Sequence, residues 1–239
     1  MRGPRRIAGA ALLLVAAVAG SEAGAEAQDP RMVEIVDLIR AGKRTEAVGR
    51  ADAMIATFAA AQHQPGVSYF CNRDRGGVAN LMVASAGGRK VDLAPEAWCE
   101  ALYAKGFALT DLKRFDEAAA ALAQAVAMDP SNPHFLTKYG DVLRLKGDAP
   151  AAIGLYSKAY DLAAAEGEPG KAMATRALRG MALATEANGD LAAAQEYNER
   201  LLEQDAADVE ARARLAEIAR RRAAASTSPA ASDRPPRGN

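Results

Sequence analysis

Aromatic side chains are scarce: 5 Phe, 6 Tyr and 1 Trp occur in 239 residues. A core built from this composition must close through small and aliphatic side chains, Ala, Leu and Val, rather than through large rings. Histidine is scarcer still. The two residues, His63 and His134, stand far apart, and neither a His-x-x-x-His nor a Cys-x-x-Cys pair is present. Metal-ligand spacing is therefore missing, and no metal or cofactor is expected. A phosphate-cradling Gly-rich loop and a Gly-x-Ser-x-Gly elbow are also missing; Gly76-Gly77 reads as a turn pair. These gaps leave no catalytic constellation, and the sequence reads as a non-enzyme. His63 with Cys71 would be a weak thiol pair, because Cys71 has a competing partner in Cys99.

Charge of one sign is lacking too. Lys plus Arg number 30 and Asp plus Glu number 30, which gives no push toward nucleic acid or anionic lipid. A local basic run, Arg212, Arg214, Arg220, Arg221 and Arg222, is either a solvated helix face or a contact for an acidic partner or lipid headgroup. Apolar runs are short. The longest, Ile7–Ala19, follows Arg2, Arg5 and Arg6 and precedes small-residue pairs at Ala23, Ala25 and Ala27. That layout predicts a cleaved signal peptide over residues 1–27, too short in its apolar part to span a bilayer. The expected location is periplasmic or secreted, in a bacterium, with no membrane span after cleavage. Residues 226–239, rich in Ser, Ala and Pro, read as a disordered tail.

What the chain does have is an internal echo. Residues 99–132 align with residues 133–166 at a period of 34. Leu102 falls on Leu136, Gly106 on Gly140, Leu109 on Leu143, Ala118 on Ala152, Leu122 on Tyr156 and Ala125 on Ala159. Small residues at fixed helical spacing let neighbouring helices approach closely, and a shared period of this length predicts stacked helical hairpins. Gly147-Asp148 and Gly189-Asp190 supply a helix end followed by an N-cap. Asn132-Pro133 caps and opens a further helix.

These residues resemble the tetratricopeptide repeat (TPR) family. Leu102, Gly106, Phe115, Ala118, Leu122, Ala125 and Pro130 supply its signature in the first strong repeat. A third copy, 175–208, carries Leu178, Ala182, Leu191, Ala194, Asn198 and Leu201, displaced by eight residues around Gly167–Gly170 that read as a loop or a longer helix pair. A degenerate hairpin covers 28–61, with Ile35 breaking the pattern in its first helix. A capping helix is expected over 209–225. The resemblance implies an all-α, right-handed superhelix. It implies a concave groove lined by first helices, here Glu100, Tyr103, Phe107, Asp111, His134, Lys138, Asp141, Arg144, Arg176 and Arg179. The Lys/Asn set with which some members hold a C-terminal carboxylate is not reproduced.

Residues 62–98 interrupt the pattern and read as an irregular insertion with one short helix. Cys71 and Cys99 are the only cysteines. An even count in an exported chain predicts a disulfide; free thiols and a redox pair are the competing readings. The expected function is a scaffold or assembly factor in the bacterial envelope, holding another protein or peptide in the groove. A glycan- or small-ligand-binding regulator is the alternative, since Tyr103 and Phe107 could stack on sugars.

Overall fold

The computed structural model describes residues 29–62, 64–71 and 75–227. The expected signal peptide and the tail beyond Thr227 lie outside these residues, as does His63.

Ten helices follow one another among the described residues, nearly all as antiparallel pairs. Helices α1 (Pro30–Arg40) and α2 (Arg44–Ala61) form the first hairpin. After an insertion come α4 (Glu96–Asp111) with α5 (Phe115–Met128), and α6 (Pro133–Leu145) with α7 (Ala149–Ala165). A 3-10 turn (Glu168–Gly170) leads into α8 (Lys171–Ala187) and α9 (Leu191–Gln204), and α10 (Val209–Thr227) closes the stack. Each repeat helix packs on the next, with α2 meeting α4 across the insertion, and α1, α4, α6 and α8 lie side by side along one face. The extra residues before the third repeat thus lengthen α7 and α8 around the turn. The last helix runs beyond the expected boundary, to Thr227. It seats Ala211 and Ile218 in the core, and an unbroken Ala- and Arg-rich stretch has high enough helix propensity to continue past that anchor.

Asp side chains begin several of the helices. Asp148 accepts the Ala151 N–H at 3.2 Å, and Asp190 accepts the Ala193 N–H at 3.0 Å. Asn132 accepts from His134 and Phe135. These are satisfied orphan donors at helix starts.

Between helices, small residues set the spacing. Gly106 faces Leu122, while Gly140 and Gly180 both lie against the wholly buried Tyr156 ring. The Tyr156 hydroxyl donates to Asp141 at 2.7 Å. Tyr156 therefore joins its own hairpin to the next one.

The insertion holds more order than the sequence implies. Strands β1 (Val67–Phe70) and β2 (Lys90–Leu93) pair in parallel, Val67 opposite Lys90 and Phe70 opposite Leu93. Helix α3 (Arg75–Ala86) connects them, with Val78, Met82 and Val83 exposed. A parallel pair needs a crossover, and the short apolar helix supplies it. The sequence reading found that helix but not the strands, because four-residue strands carry too little alternation to register. The unit is tied down at several points. The Cys71 N–H donates to Met128 O at 3.1 Å, Gln62 Nε2 donates to Leu93 O at 3.2 Å, and Tyr69 donates its hydroxyl to Gln62 O. The Trp98 ring lies 5.7 Å from Tyr69 and 6.1 Å from Phe58. Cys71 and Cys99 form a disulfide that fixes the end of β1 to α4.

Candidate functional site

Three elements build a concave cavity of about 400 Å³. Helix α1 contributes Met32, Val36 and Ile39, spaced four and three residues apart and so on one face. Helix α4 contributes Glu96, Cys99, Glu100, Tyr103 and Phe107 at the same helical rhythm. The start of α6 adds Asn132, His134 and Phe135, and Cys71 brings the disulfide into the wall.

Most of this lining is apolar, and its rings are organised. Tyr103 and Phe135 stack with centroids 5.1 Å apart and planes inclined by 24°. Offset ring pairs of this kind give a stiff apolar surface. The Lys138 ammonium sits 4.4 Å from the centroid of Phe107, within cation–π range. Lys138 is only 7% exposed. Its burial holds its pKa below the ordinary lysine value, against the opposing pull of Asp141 and Asp111.

The other end of the cavity is acidic. Burial raises the Glu100 carboxyl above the usual carboxylate range, and the negative charges of Glu96 and Asp29 add to the shift. The Tyr103 phenol is also raised, chiefly by burial. A second, more polar cavity of about 700 Å³ adjoins the first. It shares Glu96, Asp129, Asn132 and His134 with it and extends to Met173 and Arg176. The two make one trough along the first helices.

The expected groove residues divide into two groups. Glu100, Tyr103, Phe107 and His134 line the apolar cavity, and Arg176 lines the polar one. Lys138 borders the first through Phe107. Others are engaged in holding repeats together. Asp111 accepts from Arg44 Nε at 2.5 Å, and Asp141 receives Arg176 at 3.2 Å besides Tyr156. Arg179 bridges to Asp208 at 2.6 Å and Glu210 at 3.2 Å. Arg144 lies beside the Tyr156 hydroxyl. The basic run near the chain end is largely paired within the molecule: Arg214 and Arg221 both reach Glu186, Arg220 reaches Glu217 and Arg222 reaches Gln195.

Sequence reasoning missed Met32, Val36, Ile39, Glu96 and Phe135. The rhythm of apolar residues along α1 carried the signal for the first three. The repeat pattern drew notice instead to Ile35, which faces the core.

Residues 103–169 match the model of the tetratricopeptide repeat family. The fold is an all-α TPR superhelix. Solved structures of the same architecture cover most of the chain. MamA from Desulfovibrio magneticus is 16% identical with a TM-score of 0.54, over 82% of this chain and 88% of that one. The pilF protein of Pseudomonas aeruginosa is 13% identical with a TM-score of 0.55, over 81% and 68%. Kinesin-light-chain-like TPR repeats from Podospora anserina are 14% identical with a TM-score of 0.59, over 81% and 85%. At these identities the likeness concerns the fold. No curated protein matches the chain by sequence. Among the described residues, no helix of this TPR stack is long and apolar enough to cross a membrane.

Proposed function

We propose that this chain is a non-catalytic TPR scaffold of the bacterial cell envelope that binds another polypeptide along its concave face. The observation that carries the reading is the trough itself. An apolar cavity floored by Tyr103, Phe107 and Phe135 opens on the first-helix face, beside a polar extension ending at Arg176. Aromatic and Arg side chains in a preformed concavity are the usual anchors of a polypeptide interface. Export is supported by the amino-terminal Arg–apolar–small layout and by a disulfide that an oxidising compartment would preserve.

Crosslinking in intact cells, followed by mass spectrometry, tests the function. A photocrosslinker at position 107 should give discrete protein adducts, and Tyr103→Ala with Phe107→Ala should remove them. Recovery of glycan in place of protein would move the assignment to a cell-wall ligand. Cell fractionation with sequencing of the mature amino terminus tests the location: a cytoplasmic protein that retains Arg2–Arg6 would rule out export.

A further inference from the structure

The apolar cavity between α1 and α4 is charged oppositely at its two ends. Glu96 and Glu100 stand at one end and Lys138, through its contact with Phe107, at the other. Acids further along the first-helix face, Asp111, Asp141 and Glu186, are neutralised by Arg44, Arg176, Arg214 and Arg221. Glu96 and Glu100 have no such ion pair among the described residues. The half-buried Glu100 carboxyl, one helical turn from Glu96, is costly as an anion, and a cation from outside would relieve it. Glu100 and Phe107 are seven residues apart on α4, roughly 10 Å at ~1.5 Å per residue. In an extended peptide, side chains two residues apart on one face lie roughly 7 Å from each other. A bulky apolar side chain and a nearby Lys or Arg could therefore meet the ring floor and the carboxylates at once.

We infer that the cavity takes a polypeptide segment in which a large apolar side chain neighbours a Lys or Arg, the apolar group packing on Tyr103, Phe107 and Phe135 and the cation on Glu96 and Glu100. This rests on the polypeptide-binding reading and names the chemistry of its partner. Lys138 fixes the direction, since a ligand cation placed at the Phe107 end would meet a like charge. Cationic segments, not acidic ones, are then the ligands of this part of the trough. The Glu100 carboxyl, already raised by burial beside two other acids, returns toward its ordinary range once a cation arrives.

The test uses an array of Gly/Ser-flanked peptides whose central residues run through all pairs, probed with the purified full chain. Leu, Ile, Met, Phe or Trp near Lys or Arg should be retained, and the same apolar residues near Asp or Glu should not. In solution, Glu96→Gln with Glu100→Gln should weaken a cationic apolar peptide by about tenfold or more. The same variant should leave a neutral apolar peptide unchanged, with the same far-UV circular dichroism as the parent. Raised salt should weaken the cationic peptide alone. Preference for acidic peptides, or retention blind to charge, would overturn the inference while leaving peptide binding in place. Retention of no peptide would remove both. If the double variant fails to fold, the charge preference of the parent protein on the array still decides.

Discussion

At Gly106 the place of a side chain is already occupied: a methyl carbon built there would lie inside the contact distance of Leu122, and one at Gly180 would overlap the Tyr156 ring. Gly154, by contrast, lies exposed on α7 with nothing within 4 Å of such a carbon. Helix propensity favours Ala over Gly by about 1 kcal/mol at all three. Overpacking opposes it at the first two by about 1–3 kcal/mol. Gly154→Ala should therefore raise the thermal midpoint. Gly106→Ala and Gly180→Ala should lower it, with a net loss of up to roughly 2 kcal/mol in urea unfolding. Equal shifts for the three would mean that the hairpins do not touch at these positions. The repeat echo made Gly106 and Gly140 legible as close-approach sites. Gly180 was not, because it lies two residues before the position where the echo places Ala182, and only packing reveals that it faces the preceding hairpin. The same holds for Glu96 and Phe135 in the cavity: nothing in a single sequence ties a residue before one repeat to a residue at the start of the next.

At the scale of the element, each hairpin turn places one residue in the left-handed region. Gly42, Gly147 and Gly189 take this role in three turns with φ between +77° and +87°. The α4–α5 turn uses Lys113 instead, at φ +60°. A side chain in this conformation costs about 1–2 kcal/mol, and glycine gives back part of that through the greater freedom of its unfolded chain. Lys113→Gly should accordingly stabilise the protein by roughly 0.5–1 kcal/mol, and Gly147→Ala should destabilise it by a similar amount, both read from chemical unfolding midpoints. A loss on Lys113→Gly would show that the lysine side chain does more in the turn than occupy it. The Gly-Asp turns were readable because composition announces them. The β–α–β unit was not readable, because its strands are held by what lies around them: Met128 O, Gln62 and the Trp98 ring. Tertiary surroundings, not local pattern, decide such short strands.

Across the whole molecule, the disulfide is the device that joins this insertion to the repeat stack and to the cavity. It closes a loop with a sequence separation of 28 residues, and both cysteines line the cavity. In the chain-entropy model a loop of this size restrains the unfolded state by about 3–4 kcal/mol. A domain of this length shifts its midpoint by roughly 2–4 °C per kcal/mol. Reduction, or Cys71→Ala with Cys99→Ala, should then lower the midpoint by about 6–16 °C while leaving the helical circular dichroism intact. The repeats themselves do not depend on the bond: α6 to α10 bury their own cluster around Tyr156, Leu178 and Leu201. Peptide binding should suffer more than folding, because the Cys71 corner of the cavity loses its covalent link to α4 when the bond opens, while β1 stays held by Met128, Gln62 and Trp98. Comparing the affinity of a cationic apolar peptide for oxidised and reduced protein, below both melting points, measures that coupling. An unchanged affinity would separate the insertion from the site, and the trough would then rest on α1, α4 and α6 alone.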